Sequence, residues 1–245
     1  MWLVLLLILG LVFGSFVNVL VYRLPLGISI MGRSFCPKCK KQIAWFDNIP
    51  LLSFLLLKGK CRKCGKRISW RYPLVELITA LGFVTFYELI GFKDIVYLGF
   101  LLVIFCVFLA VFAIDLEKQI IPDSLVFFAY IISFILLLFG GGSIYSNLLA
   151  GYSAGLFLLL LHLLTRGRGM GLGDVKLALV GGTILGFTGG LIWMYLAFLT
   201  GALVGIILIL LGKAKFGKHI AFGPFLILAF WLTLFWGDKV FQWIF

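Results

Sequence analysis
Two sets of residues in this 245-residue chain have the types and spacing for chemistry, one of thiols and one of carboxyls. Four of the five cysteines form Cys36-Pro-Lys-Cys39 and Cys61-Arg-Lys-Cys64, with 21 residues between the pairs. Two such knuckles offer four thiolates at the corners of a tetrahedron, the geometry zinc favours, and Gly65 permits the tight turn beneath a metal. Lys38, Lys40, Lys41, Lys60, Arg62 and Lys63, in or beside the knuckles, help hold thiolates ionised. Four protein ligands leave no place for water, so the expected site, Cys36, Cys39, Cys61 and Cys64, is structural. A pair of disulfides is the alternative, and a reducing compartment counts against it.

The acids are the second set. They number nine, and Asp115 and Asp174 stand out. Asp115 closes an apolar run in Ala113-Ile-Asp-Leu-Glu-Lys, and Asp174 opens another in Gly169-Met-Gly-Leu-Gly-Asp-Val-Lys. Ionisable groups at such edges are costly and mark function. Two carboxyls close together cannot both ionise cheaply, so one keeps its proton. The ionised partner can take a proton from water while the neutral one donates to a scissile carbonyl. That is aspartyl proteolysis. Gly169, Gly171 and Gly173 remove side chains where an extended substrate backbone must approach. Taken singly, either acid also reads as a helix cap or solvated anchor, with Asp174 paired to Lys176.

The elements must bring together two acids 59 residues apart. The chain is 63% hydrophobic and 12% charged, with mean hydropathy +1.20, which excludes a soluble globule and calls for lipid. Apolar runs near the crossing length predict an all-α polytopic membrane protein of about eight spans. Their limits are 2–22, 73–91, 95–114, 124–140, 144–165, 175–188, 190–211 and 220–236. The first lacks a basic n-region and a cleavage site, so it reads as an uncleaved helix. The expected domains are therefore the helix 1–22, a cytoplasmic zinc-binding loop 23–72, and a membrane core 73–245.

Nineteen of the 21 Lys and Arg fall on one side of these spans; only Lys93 and Lys239 fall on the other. The positive-inside rule makes the first side cytoplasmic and puts both termini outside. It also sets Asp115 and Asp174 at one cytoplasmic depth and the cysteines in a reducing compartment. The basic residues report topology and not nucleic-acid binding. Loop 23–72 carries twelve cations against Asp47 alone, which suits anionic lipid headgroups. Within it, the apolar run 49–57 is too short to cross and predicts a short interfacial or packed helix.

Among the remaining polar residues, Glu76 reads as a favourable acid near a helix N-terminus, or as a group for substrate or cofactor. Asp123 reads as a cap for the fourth span. Ser15 and Asn18 can bond across helices, with a part in methyl transfer as the alternative. Cys106 reads as a packing residue, His162 as one that packs or bonds locally, and His219 lies among interfacial cations.

Ordered motifs run the length of the chain: Gly14-Ser-Phe-Val-Asn18, Tyr22-Arg-Leu-Pro25, the knuckles around Asn48-Ile-Pro50, and Arg71-Tyr-Pro-Leu-Val-Glu-Leu77. Asp115-Leu116 with Ile121-Pro-Asp123, Gly169 to Leu177, and Phe222-Gly-Pro-Phe225 follow. In these the chain resembles the bacterial type IV prepilin peptidases. The resemblance implies cleavage of a basic prepilin or pseudopilin leader after a glycine, at the cytoplasmic face of the inner membrane. It implies catalysis by Asp115 and Asp174, and N-methylation of the new terminus from S-adenosylmethionine. Ala221 stands where a proline is expected before Phe-Gly-Pro, and no glycine-rich dinucleotide-type fingerprint marks a donor site. A proton-coupled transporter with the aspartates as relay is the alternative, but it calls for repeats and broken helices in matched halves. A zinc-bearing membrane scaffold would leave the glycine-aspartate motif without a task.

Overall fold
The structure, a computed structural model, describes residues 2–91, 94–139, 143–167, 169–212 and 221–244. Lys93, Arg168, Lys213, Lys215, Lys218 and His219, all used in the sequence reading, lie outside the described residues. The helices are α1 (Trp2–Arg23), α2 (Leu52–Leu56), α3 (Arg71–Ile90), α4 (Ile95–Lys118), α5 (Asp123–Phe139), α6 (Ile144–Leu164), α7 (Leu172–Leu210) and α8 (Gly223–Ile244). Short 3₁₀ turns cover Leu24–Leu26 and Trp45–Asn48. Among the described residues there are no strands, only two isolated antiparallel bridges.

Among the described residues, five helices (α1 with its 3₁₀ extension, α3, α4, α6 and α7) are long and apolar enough to cross a membrane, and α5 and Gly223–Gly237 are shorter apolar helices. Only 22–44% of the crossing windows are buried, and the rest present Leu, Ile, Val and Phe outward. Apolar surface on that scale belongs in hydrocarbon. The chain is a multi-pass membrane protein.

The expected count of eight is not reproduced as eight separate helices. Runs 175–188 and 190–211 fall together in α7, 39 residues and thus about 58 Å if straight. A bilayer core is about 30 Å thick. The helix breaks at Gly186, whose φ of 70° and ψ of −172° are open to glycine. The Trp193 ring then occupies the space that a Cβ on Gly181 would need. Twelve residues along a straight helix span about 18 Å, so the two arms of α7 must turn back on each other.

The chain divides into two compact units, Met1–Ala110 and Val111–Phe245. In the first, α1 lies against α3 at bare glycines: a Cβ on Gly14 would come within 2.6 Å of the Glu76 Cα. Small residues allow such approach where lipid offers no hydrophobic drive between helices. Asn18 Nδ2 donates across this contact to the Tyr72 carbonyl at 3.0 Å. In the second unit, α6 packs on α7, and Trp193 Nε1 donates to the Leu226 carbonyl at 2.7 Å, tying α7 to α8.

Between α1 and α3 the loop is organised by charge. Buried Arg23 donates to the carbonyls of Ser29, Met31 and Arg33 at 2.7–3.0 Å, folding the chain back as it leaves α1. Arg62 makes a forked contact with Asp47, 2.7–3.1 Å, joining the second knuckle to the 3₁₀ turn. Glu76 corrects its helix-terminus reading. With α3 beginning at Arg71, Glu76 falls past the first turn, and its carboxylate accepts from the Leu51 backbone N–H at 2.9 Å.

Candidate active site and metal centre
The two knuckles repeat one local fold. Cys36 N–H donates to the Lys41 carbonyl and Cys61 N–H to the Lys66 carbonyl, with bridges Phe35 to Gln42 and Lys60 to Arg67. The residue after each pair, Lys40 or Gly65, takes positive φ, 59° and 67°. All four cysteines are free thiols, and their sulfurs lie within 4.8 Å of one another, with Cys36 and Cys64 at 4.0 Å. A tetrahedral ion with bonds of about 2.3 Å sets its sulfurs about 3.8 Å apart, so the cluster fits one. The Lys41 N–H hydrogen bond favours the thiolate and holds Cys39 below the ordinary thiol range. At Cys64 the Lys66 N–H acts likewise, but desolvation and the other three sulfurs outweigh it and push the thiol up to about 11. Four crowded sulfurs resist full ionisation, and a bound divalent cation would reverse that.

The carboxyls are assembled in the second unit. Asp115 sits in the last turn of α4 and Asp174 in the first turn of α7, 5% and 6% exposed. They line one cleft of about 330 Å³ with Gln119, Ile120, Ile121, Asp123, Gly171, Leu172, Gly173 and Lys176. The Gly171 N–H donates to Asp174 Oδ2 at 3.1 Å, which fixes the carboxyl's rotation. The Gly223 N–H, at the start of α8, is directed at the Asp115 carboxyl. Asp174 Oδ1 and Asp115 Oδ2 are left buried with no hydrogen-bond partner among the described residues. Orphan buried acceptors are expensive, so this pair is built to meet something.

The surrounding contacts show how the cleft is held. His162 Nδ1 lies 2.6 Å from the Met170 carbonyl, and Gly169 N–H donates to Thr165 Oγ1 at 3.1 Å, so α6 anchors the glycine segment. Gly169 faces the Thr165 side chain, and Gly173 faces Ile121, whose Cβ would lie 2.7 Å from an added methyl. Lys176 does not pair with Asp174. Its ammonium lies 2.6 Å from Asp123 Oδ1, an exposed pair at the rim. Gly223 was missed as a site residue, and the only sequence signal for it was the Phe-Gly-Pro motif. A Cβ there would sit 2.6 Å from Asp115 Oδ2.

Known proteins match both units. Residues 8–89 match the Bacterial Peptidase A24 N-terminal domain, and residues 100–206 match the Type IV leader peptidase family. Prepilin leader peptidase/N-methyltransferase of Aeromonas salmonicida is 35% identical over 96% of this chain and 90% of its own length. The chain belongs to the type IV leader peptidase family. Its relatives of the same name in Pseudomonas aeruginosa, 35% identical over 95% of the chain, and Neisseria gonorrhoeae, 32% over 96%, match across 90% and 91% of their own length. No solved structure matches. The first family match contains the four cysteines and the second both aspartates. None of these matches supports the transporter reading.

Proposed function
We propose that this chain cleaves the leader of prepilins and pseudopilins after a glycine and methylates the exposed terminus, with Asp115 and Asp174 as the proteolytic pair. The observation that carries this is the shared cleft, with one buried oxygen on each carboxyl unpartnered among the described residues. One carboxyl is ionised and the other protonated, because two adjacent charges in a low dielectric repel strongly. The ionised group removes a proton from water as the oxygen attacks the scissile carbonyl. The neutral group donates its proton to the carbonyl oxygen. Collapse of the tetrahedral intermediate breaks the C–N bond: the proton held by the first carboxyl passes to the leaving amine, and a hydroxyl proton of the intermediate returns to the second carboxyl. Gly171 and Gly223 hold the two carboxyls in register for this exchange.

The eight-pass topology follows if the two arms of α7 cross separately, turning at Gly186. We place the cysteine loop and cleft on the cytoplasmic side of the bacterial inner membrane, with both termini outside, on the distribution of Lys and Arg. Loop 23–72 then forms the cytoplasmic domain, and Cys36, Cys39, Cys61 and Cys64 hold one structural zinc that fixes the two knuckles. S-adenosylmethionine is the donor the relatives' name implies. The cleft does not fit it, since its described lining offers no aromatic ring to stack an adenine.

The test is cleavage of a purified prepilin by the reconstituted chain, read by the mass of the released leader. Wild type should release it, and Asp115→Asn and Asp174→Asn should not. Near-normal cleavage by either variant would overturn the assignment. Methylation is read separately, as label passing from S-adenosylmethionine to a pre-cleaved pilin.

A further inference from the structure
Segment 45–57 of the loop turns its apolar side chains outward. Leu52, Leu55 and Leu56 form one face of α2 and are 50%, 69% and 72% exposed, and Trp45 beside them is 75% exposed. A five-residue helix with that face in water would have no reason to stay ordered. Yet the segment is held firmly. The Ser53 hydroxyl donates to the Phe46 carbonyl at 2.9 Å, joining α2 to the preceding 3₁₀ turn. Leu52 N–H donates to the Pro50 carbonyl at 2.6 Å around Leu51, whose φ of 57° and ψ of −49° make a strained γ-turn. The buried Glu76 carboxylate of α3 grips that turn through the Leu51 N–H at 2.9 Å.

Two features say what covers this face. On α3, Leu74, Leu77 and Leu81 form an exposed stripe at helical spacing, and Trp70 extends it to the point where the chain enters the helix. The Trp70 ring packs on Phe54 of α2, centroids 5.0 Å apart, so α2 is tied to the end of a spanning helix where its exposed stripe begins. The charge agrees. Lys58 and Lys60, just after α2, are exposed, and the loop's one acid is taken up by Arg62. Exposed leucines, tryptophans at the boundary and unneutralised lysines are the composition of a segment lying in a headgroup layer.

We propose that α2 with its 3₁₀ turn is a foot seated in the bilayer leaflet that α3 enters. Its leucines and Trp45 reach the acyl boundary, its lysines lie among anionic headgroups, and Glu76 sets its height. The knuckles thereby stand at a fixed level above the lipid instead of swinging on a tether. This does not depend on the assignment of the aspartates.

The experiment uses the full chain in nanodiscs of phosphatidylethanolamine and phosphatidylglycerol. A benzophenone amino acid replaces Leu55, Leu56 or, as a reference, Lys63 in the second knuckle, one at a time. After irradiation, intact-mass analysis should show phospholipid adducts at positions 55 and 56 about tenfold above those at 63. Glu76→Ala should lower the adducts at 55 severalfold with the bound metal unchanged. Adducts at 55 and 56 no greater than at 63 would overturn the proposal, as would crosslinks mainly to a second copy of the chain. Unchanged adducts in Glu76→Ala would overturn the role given to that residue.

Discussion

In the first unit the four sulfurs converge on one another, Arg23 finds a carbonyl for each of its directions, and Asp47 is closed off by Arg62. In the second, each aspartate has one backbone N–H steadying it and one buried oxygen left without a partner among the described residues. A set of groups satisfied among themselves can hold a shape but has nothing left to offer a substrate. Groups steadied from one side and left open on the other are poised for a reaction, at some cost in stability. The thiol centre and the carboxyl cleft therefore read as structure and chemistry, respectively.

Perturbing each centre in turn should separate these roles, beginning with the most severe change. Asp174→Asn should reduce leader cleavage by about 10²–10⁴-fold, the usual worth of general acid–base catalysis, with about one zinc per chain retained. Metal analysis beside the cleavage rate checks both parts. Cys61→Ser should do the reverse. It should abolish zinc binding and expose segment 23–72 to protease nicking, because structural zinc contributes of order 10 kcal/mol to the fold of such a site. A Cys61→Ser protein with full metal content and an intact loop would erase the distinction. Gly223→Ala tests the cleft more gently. The added methyl would sit 2.6 Å from Asp115 Oδ2, and displacing that carboxyl should lower kcat by about 10–10²-fold with little change in KM. Asp123→Asn should matter least, since the pair it forms with Lys176 is exposed and worth about 0–1 kcal/mol. Thermal unfolding and kcat should both stay near wild type.

The parts legible in the sequence were those with local signals. The cysteine spacing foretold the sulfur cluster, and the acids at the ends of apolar runs foretold the pair that lines one cleft. Helix positions followed from apolar run length, but runs six and seven did not show that α7 closes back through Gly186, because that turn depends on Trp193 packing against Gly181. Glu76 was misjudged as serving its own helix. Its partner is a backbone N–H 25 residues away, at a strained turn no local rule announces. Gly223 was overlooked for a related reason: its part is played by a backbone N–H and a missing methyl, neither of which has a chemical signature in a residue letter.

The central claim is that Asp115 and Asp174 act as one catalytic unit. Single-turnover cleavage of a prepilin by Asp115→Asn, Asp174→Asn and the double variant tests it most directly, with zinc content and helicity confirming that each is folded. Residues acting as a unit lose the same step whichever is removed, so the double variant should be no slower than the slower single variant. Losses that multiply in the double variant, or near-normal cleavage by either single variant, would contradict the account.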